Sequence, residues 1–347
     1  MGHDKLRKFA ENETFSCLLQ PSAEELLRDG YFSLRDNEVK GHWGARFEHP
    51  GAPLVLELGC GKGEYTIALA ERDHGKNYVG VDIKGARLWK GAKYATEHAL
   101  GNVGFLRTRI EFITAFFAPG EVSELWLTFS DPQVRSENSR LTSPIFLERY
   151  SKFLAPGGII HLKTDSQFLY QYTLAVCRAN GLPVLASSED LYSEAASFDP
   201  CLTEVQTFYE SMFREQGYPI KYLCFTLTKE DGDSSTLASL PLRMTEEDGG
   251  AETERGTEKP SAPTQCEWEG PAPKGVGGME LEKRPVDGFS TEVFRTSFCA
   301  AEPSSFVSPT DFDPDYWRSV EGNRTLFGRD TAETRRQKLR KSESEQT

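Results

Sequence analysis

Residues 54–64 read Leu-Val-Leu-Glu-Leu-Gly-Cys-Gly-Lys-Gly-Glu, an apolar strand pattern running straight into glycines at every second position. Leu54, Val55, Leu56 and Leu58 supply the strand, while Gly59, Gly61 and Gly63 supply a turn. A chain with this join presents bare backbone to a ligand, because a Cβ would block close approach or forbid positive φ. Glu57 stands inside the apolar strand, where a carboxylate is costly unless it has a partner. A second carboxylate, Asp82, closes the next apolar run, Tyr78-Val79-Gly80-Val81. A turn built for tightness alone leaves Glu57 unexplained.

A nicotinamide-binding fold also places an acid about 20 residues beyond its glycines, but its fingerprint is G-x-G-x-x-G. Here the third glycine position holds Glu64, which a pyrophosphate at a helix N-terminus would repel. A cofactor carrying a sulfonium and an ammonium needs carboxylates nearby instead. The segment resembles the cofactor site of class I S-adenosylmethionine-dependent methyltransferases.

The rest of residues 50–230 alternates strands with helices. Strands fit Val103–Thr108, Glu124–Phe129, Ile159–Leu162 and Ile220–Thr226, and helices fit 85–99, 143–154 and 167–180, the last stopped by Asn180-Gly181. This order predicts an α/β fold: a doubly wound, mostly parallel, Rossmann-like sheet with helices on both faces. Ligands of such sheets bind outside the carboxyl ends of the strands. Glu57 lies just before the glycine turn, and Asp82, Asp131 and Asp165 fall at predicted strand ends, so four carboxylates share one edge. Any one of them could instead cap a helix, Asp165 above all.

Charge and composition divide the chain near residue 230. The net charge of −13 splits as −5 for 1–230 and −8 for 231–347. A pI of about 5.1 argues against indiscriminate nucleic-acid binding, yet a localised basic face suffices for RNA. Arg87, Lys90 and Lys93 form such a stripe on the 85–99 helix, or else a solvated face. Residues 1–230 are expected to form the methyltransferase domain, and 231–347 a largely disordered, acidic, low-complexity C-terminal tail. Residues 231–285 in particular hold too little apolar surface to offset ordering entropy. The aromatics of 286–330, among them Phe306, Phe312, Tyr316 and Trp317, allow a short docking segment, but disorder or weak association is expected there. The basic cluster from Arg335 to Lys341 is either an RNA contact or a solvated tail.

The seven cysteines are scattered without a C-x-x-C pair, which fits a reducing cytoplasm. No apolar run approaches a membrane span, and the N-terminus lacks the apolar core of a signal peptide. No metal cluster is visible in the sequence.

Four segments make the resemblance specific: Leu56–Gly63, Gly80–Asp82, Leu127-Thr-Phe-Ser-Asp131-Pro132 with Arg140 and Phe153-Leu-Ala-Pro-Gly-Gly158, and Thr207-Phe-Tyr-Glu210 with Gly217 and Ile220. Residues 1–228 resemble the bacterial tRNA (guanine-N7)-methyltransferase family, and Lys5–Asn12 resembles an arm of one branch of it. The resemblance implies transfer of a methyl group from S-adenosylmethionine to N7 of a variable-loop guanosine in tRNA. It implies cofactor contacts at Glu57, Gly59, Gly61, Gly63, Asp82 and Asp131, a catalytic role for Asp131, and substrate contacts at Arg135, Asp165, Thr207, Tyr209 and Glu210. Tyr209 reads as a base-stacking ring or as a core tyrosine. RNA phosphates would meet Lys84, Arg87, Lys90, Arg107, Arg109, Arg135 and Arg140. This chain departs from the family's Asp-Pro-Trp-Pro-Lys-Lys-Arg-His, reading Asp131-Pro-Gln-Val-Arg-Ser-Glu-Asn138, and carries Arg109 near a usual cofactor acid. Those departures leave open a methyltransferase for a protein or small-molecule acceptor, or a catalytically silent RNA-binding relative.

Overall fold

The alternation in Leu-Val-Leu-Glu-Leu sends Leu54, Leu56 and Leu58 to one face of a strand and Val55 and Glu57 to the other. Both faces are covered, since all five residues are buried. A computed structural model of the chain describes residues 2–27, 34–228 and 304–328. The strands are β1 (Leu18–Leu19), β2 (Leu54–Leu58), β3 (Asn77–Asp82), β4 (Val103–Arg107), β5 (Val122–Thr128), β6 (Leu154–Thr164), β7 (Val184–Ser188) and β8 (Lys221–Thr226). They form one sheet in the order β1-β4-β3-β2-β5-β6-β8-β7. Neighbours are parallel from β1 through β6, and β8 then runs antiparallel to both β6 and β7. The expected doubly wound α/β architecture is present. Its strand order reverses between β2 and β5, where such sheets open a crevice.

The longer helices are α1 (Gly2–Asn12), α2 (Glu64–Arg72), α3 (Gly85–Glu97), α4 (Pro144–Ser151), α5 (Gln167–Asn180), α6 (Phe208–Glu215) and α7 (Pro314–Gly328). Helix α5 is capped by Ser166, whose hydroxyl accepts from Leu169 N–H, and not by Asp165, and it stops at Gly181 with φ +61°, the stop that Asn180-Gly181 predicts. Two apolar layers sandwich the sheet. One gathers Trp43, Phe112, Phe116, Phe117, Phe146 and Phe153 against Leu56 and Leu58. The other gathers Tyr65, Leu69, Leu88, Phe105 and Trp126 against Val55. Within this second layer His161 stacks on Trp126 at 4.0 Å, and its Nδ1 lies 2.8 Å from the Tyr222 hydroxyl. Burial takes the His161 pKa from 6.5 down to about 4.

Three features differ from the sequence expectations. Pro156-Gly157-Gly158 does not precede its strand but lies inside β6. Leu154 pairs with Val122 and Ile159 with Glu124, so the intervening residues bulge out, with Gly157 at φ +73°. The strand β7 was not expected, because Val184–Ser188 lacks an alternating apolar pattern and its first residues are exposed. Residues 304–328 take the docking reading: α7 and the segment before it pack on α5, and Phe306 and Phe312 join the first apolar layer. Residues 231–285 and the basic cluster at 335–341 lie outside the described residues.

Among the described residues no helix is long and apolar enough to cross a membrane. Cys17, Cys60, Cys177, Cys201 and Cys224 are free thiols.

Candidate active site

The glycine turn is stitched to the end of β3. Gly59 and Cys60 donate their N–H groups to Val81 O at 2.8 and 3.0 Å, and Gly61 donates to Asp82 Oδ2 at 3.0 Å. Gly59, Gly61 and Gly63 all have positive φ, from +60° to +80°, where an L side chain is strained. A Cβ on Gly59 or Gly61 would meet nothing within 4 Å, so their backbone borders open space. Gly63 does a different job. It precedes α2, and a Cβ there would fall 2.5 Å from the Phe105 ring.

Glu57 finds the partners that its burial demands. The hydroxyls of Thr66 and Thr128 donate to its two oxygens, and desolvation still raises its pKa above the ordinary carboxylate value. Gly80 lies opposite Glu57 on β3, and a Cβ there would sit 2.7 Å from the Thr66 hydroxyl. Glu57 thus ties β2, α2 and β5 together beneath the turn. Cys60, enclosed with it, has its thiol pKa pushed well up by burial and by the Glu57 and Asp82 carboxylates.

Asp82 accepts from Gly61 N–H and from Lys84 N–H at 2.7 Å, one bond to each oxygen. Each oxygen keeps a further lone pair, and the side chain faces a cavity of about 790 Å³. This volume lies in the range of small-molecule and cofactor pockets, roughly 300–1,000 Å³. Gly59, Asp82, Ile83 and Glu111 line one side. Open glycine backbone, a carboxylate with spare acceptor capacity and the part-exposed apolar Ile83 suit a nucleoside bearing a charged chain.

The other side of the cavity comes from β5, β6 and α6. Asp131, Gln133, Asp165, Tyr209 and Phe213 line it. Asp131 Oδ1 accepts from Gln133 N–H at 2.9 Å, in a loop where Phe129 (+49°) and Gln133 (+44°) both hold positive φ. Strain of this kind collects at functional loops. Phe129 stacks on Phe213 with centroids 6.3 Å apart. Tyr209 is 51% exposed at the rim, so its core reading is set aside. The carboxylates of Asp82, Asp131 and Asp165 therefore border one cavity across the sheet's switch point.

Four expected site residues sit elsewhere. Glu210 is fully buried, 2.7 Å from the equally buried Lys163 Nζ and accepting from the Tyr192 hydroxyl at 2.7 Å. Burial lowers the Lys163 pKa, and the Glu210 carboxylate works against that shift. One Glu210 oxygen is thus held by Lys163 of β6 and by Tyr192, and the residue does not line the cavity. The Thr207 hydroxyl accepts from Glu210 N–H at 3.1 Å and caps α6. Arg135 is exposed on the loop outside the cavity lining. Arg140 is 4% exposed, sandwiched between Phe168 and Tyr172, with its guanidinium donating to Pro132 O and Val134 O. It holds the Asp131 loop and is not placed to meet a phosphate.

Of the other cations, Arg87 and Arg109 line the cavity, Lys84 is exposed beside it, and Lys90 pairs with Glu64 at 3.3 Å. Arg107 covers the Phe9 ring and donates to Ile83 O. Helix α1 packs on α3, where the Trp89 indole donates to Glu11 and Asn12 donates to Gly85 O at 3.0 Å. The sequence reading missed Glu111, Phe129 and Glu321 as cavity residues. Glu111 follows the third strand closely enough to have been found from the strand-end rule. Nothing local marks Glu321.

Residues 51–223 match the family model described as "Putative methyltransferase". The tRNA (guanine-N(7)-)-methyltransferase of Christiangramia forsetii is 48% identical over 226 residues, covering 65% of this chain and 98% of that protein. The protein of the same name from Bacteroides fragilis is 46% identical over 233 residues, covering 66% of this chain and 88% of that protein. Among solved structures, the 16S rRNA methyltransferase KamB aligns with a TM-score of 0.43 at 16% identity, over 56% of this chain and 95% of that one. With near full-length coverage at this identity, the chain belongs to the tRNA (guanine-N(7)-)-methyltransferase family.

Proposed function

We propose that this chain transfers a methyl group from S-adenosylmethionine to N7 of a guanosine in the variable loop of tRNA. The observation that carries the reading is the two-sided cavity. Its β2–β3 side (Gly59, Asp82, Ile83) suits the cofactor, and its β5–β6 side (Asp131, Asp165, Tyr209) suits a base. When bound, S-adenosylmethionine supplies an electrophilic methyl group on a sulfonium.

Asp82 would accept the ribose hydroxyls, Gly59 and Gly61 would allow backbone approach, and Glu57 would hold the turn from below. Guanine N7 has an in-plane lone pair, so transfer needs no general base. Rate then depends on alignment and local charge. Methylation leaves a positive charge on the purine. Asp131 would stabilise that charge and accept from the base's N1–H and amino group, and Asp165 lines the same cavity. Tyr209 would stack on a splayed base, the usual way proteins hold unpaired RNA bases. Arg87, Arg109 and Lys84 would meet nearby phosphates. A tRNA substrate puts the protein in the cytoplasm.

The test uses labelled S-adenosylmethionine with unmodified tRNA, followed by borohydride–aniline cleavage at 7-methylguanosine. Transfer with cleavage at one variable-loop site is expected. Transfer to protein or to a small molecule but not tRNA would overturn the reading, as would cofactor binding without any transfer.

A further inference from the structure

The family match ends at residue 223, yet residues 304–328 return to the catalytic edge. The segment runs along α5 from its C-terminal end to its N-terminal end. Ser305 N–H and its hydroxyl donate to Glu148 of α4 at 2.8 and 2.7 Å. Val307 and Asn180 exchange two hydrogen bonds, at 2.7 and 2.9 Å, and Asp311 pairs with Arg178 at 3.0 Å. Phe312 then sets its edge against Phe168 and Tyr172, with centroids 5.2 and 5.3 Å apart. Those two rings are the ones that enclose Arg140, which in turn holds the Asp131 loop.

The last contacts reach both acceptor-side walls. Arg318 Nε donates to Val134 O at 3.0 Å, in the loop that begins at Asp131. Glu321 is 5% exposed, lines the same cavity as Asp131 and Asp165, and accepts from Phe168 N–H at 3.3 Å. The first N–H groups of a helix have no partner within it. On α5 the Ser166 hydroxyl takes Leu169 N–H while Glu321, 153 residues beyond, takes Phe168 N–H. A carboxylate there also complements the helix dipole. Asp165 immediately precedes that capped start, so whatever fixes the first turn of α5 fixes Asp165.

We infer that residues 304–328 form a third wall of the acceptor site, with Glu321 and Arg318 as positioning residues that hold Asp165 and Asp131 across the cavity. The inference rests on the tRNA reading above and extends it to chain outside the family match. Besides α4 and α5, the contacts described run from the segment to the two acceptor-side loops. Loss of the wall therefore affects acceptor use and spares cofactor binding.

The experiment uses the full chain with Glu321→Ala, Glu321→Gln and Arg318→Ala. It reads kcat and KM for tRNA separately, the Kd for S-adenosylmethionine, and amide exchange over 129–140 and 165–170. For Glu321→Ala, kcat/KM for tRNA is expected to fall by between about tenfold and about a hundredfold, the cost of sub-ångström to ångström misplacement, with the cofactor Kd held within about twofold. Glu321→Gln keeps an oxygen for Phe168 N–H and is expected to recover most of kcat. Exchange should rise in both loops. Arg318 lies at the surface, so its variant gives a folded second test, with a loss confined to the tRNA parameters. Unchanged tRNA kinetics in folded variants would overturn the inference, as would a parallel loss of cofactor affinity or no recovery with Gln. A wild-type protein that fails to methylate tRNA sinks the functional reading instead, and the exchange data then still judge the wall.

Discussion

Asp131 and Asp82 are both carboxylates at strand ends, yet their surroundings suit them to the different tasks proposed above. Asp82 is 8% exposed and gives each oxygen one backbone N–H, a fixed acceptor pair for a neutral hydroxyl-bearing group. Asp131 is exposed on a strained loop and held through Oδ1 by Gln133 N–H, leaving it free to answer charge that develops on a base. Replacing Asp131 by Ala should leave the S-adenosylmethionine Kd near wild type and lower kcat by at least about a hundredfold, in line with loss of one electrostatic stabiliser. Equilibrium dialysis beside single-turnover kinetics checks it, and unchanged turnover would remove Asp131 from the chemistry. His161 governs a different property. Its folded pKa of about 4 lies below the unfolded 6.5, so between those values the folded state binds fewer protons than the unfolded chain. The stability due to neutral His161 is complete above pH 6.5 and is lost as pH falls toward 4, roughly 3 kcal/mol in all. Urea titrations of wild type and His161→Gln over that window should show a shallower pH slope in the variant.

At the scale of elements, the junction of β6 and α6 is costly to disturb. Lys163 and Glu210 are both fully enclosed, and Lys163 also donates to Leu202 O and Val205 O. Removing one partner of such a pair leaves an uncompensated charge and costs about 3–5 kcal/mol. Lys163→Met alone should therefore lower the chemical-denaturation midpoint sharply, while Lys163→Met with Glu210→Gln should recover much of the loss. Equal midpoints for the single and double variants would show that the pair is not coupled. The same junction shows what a sequence conceals. Thr207-Phe-Tyr-Glu210 resembles a substrate-contacting segment, and only the partner strand reveals that Glu210 points inward. Strand ends followed by Gly or Asp were legible because backbone chemistry puts those residues there: Gly59 through Gly63, Asp82, Asp131 and Asp165 all landed on one edge. β7 was not, because its pairing with β8 is non-local and carries no period-2 pattern. Arg140 read as a phosphate ligand for the same reason, since its aromatic enclosure comes from a helix nearly 30 residues on.

For the whole molecule, a net charge of −13 coexists with Arg87 and Arg109 on the cavity lining. Lys84, Arg87 and Arg135 present exposed side chains near that edge. RNA affinity resting on such contacts must decay with salt, by roughly 0.7–0.9 in the log–log slope for each phosphate neutralised. Log(kcat/KM) for tRNA should thus fall linearly with log salt, and Arg87→Ala should reduce the slope by about 1. A flat response would point to a small acceptor.

The glycine turn also houses Cys60. A thiolate is the strongest nucleophile an amino-acid side chain offers, but this sulfur lies inward, where a Cβ on Gly80 would meet it at 2.9 Å, and Cys60 does not line the cavity. Burial and the flanking carboxylates of Glu57 and Asp82 push its pKa well up. If a methyl donor binds as proposed, this turn sets Gly59 backbone against it and keeps the Cys60 thiol on the far side.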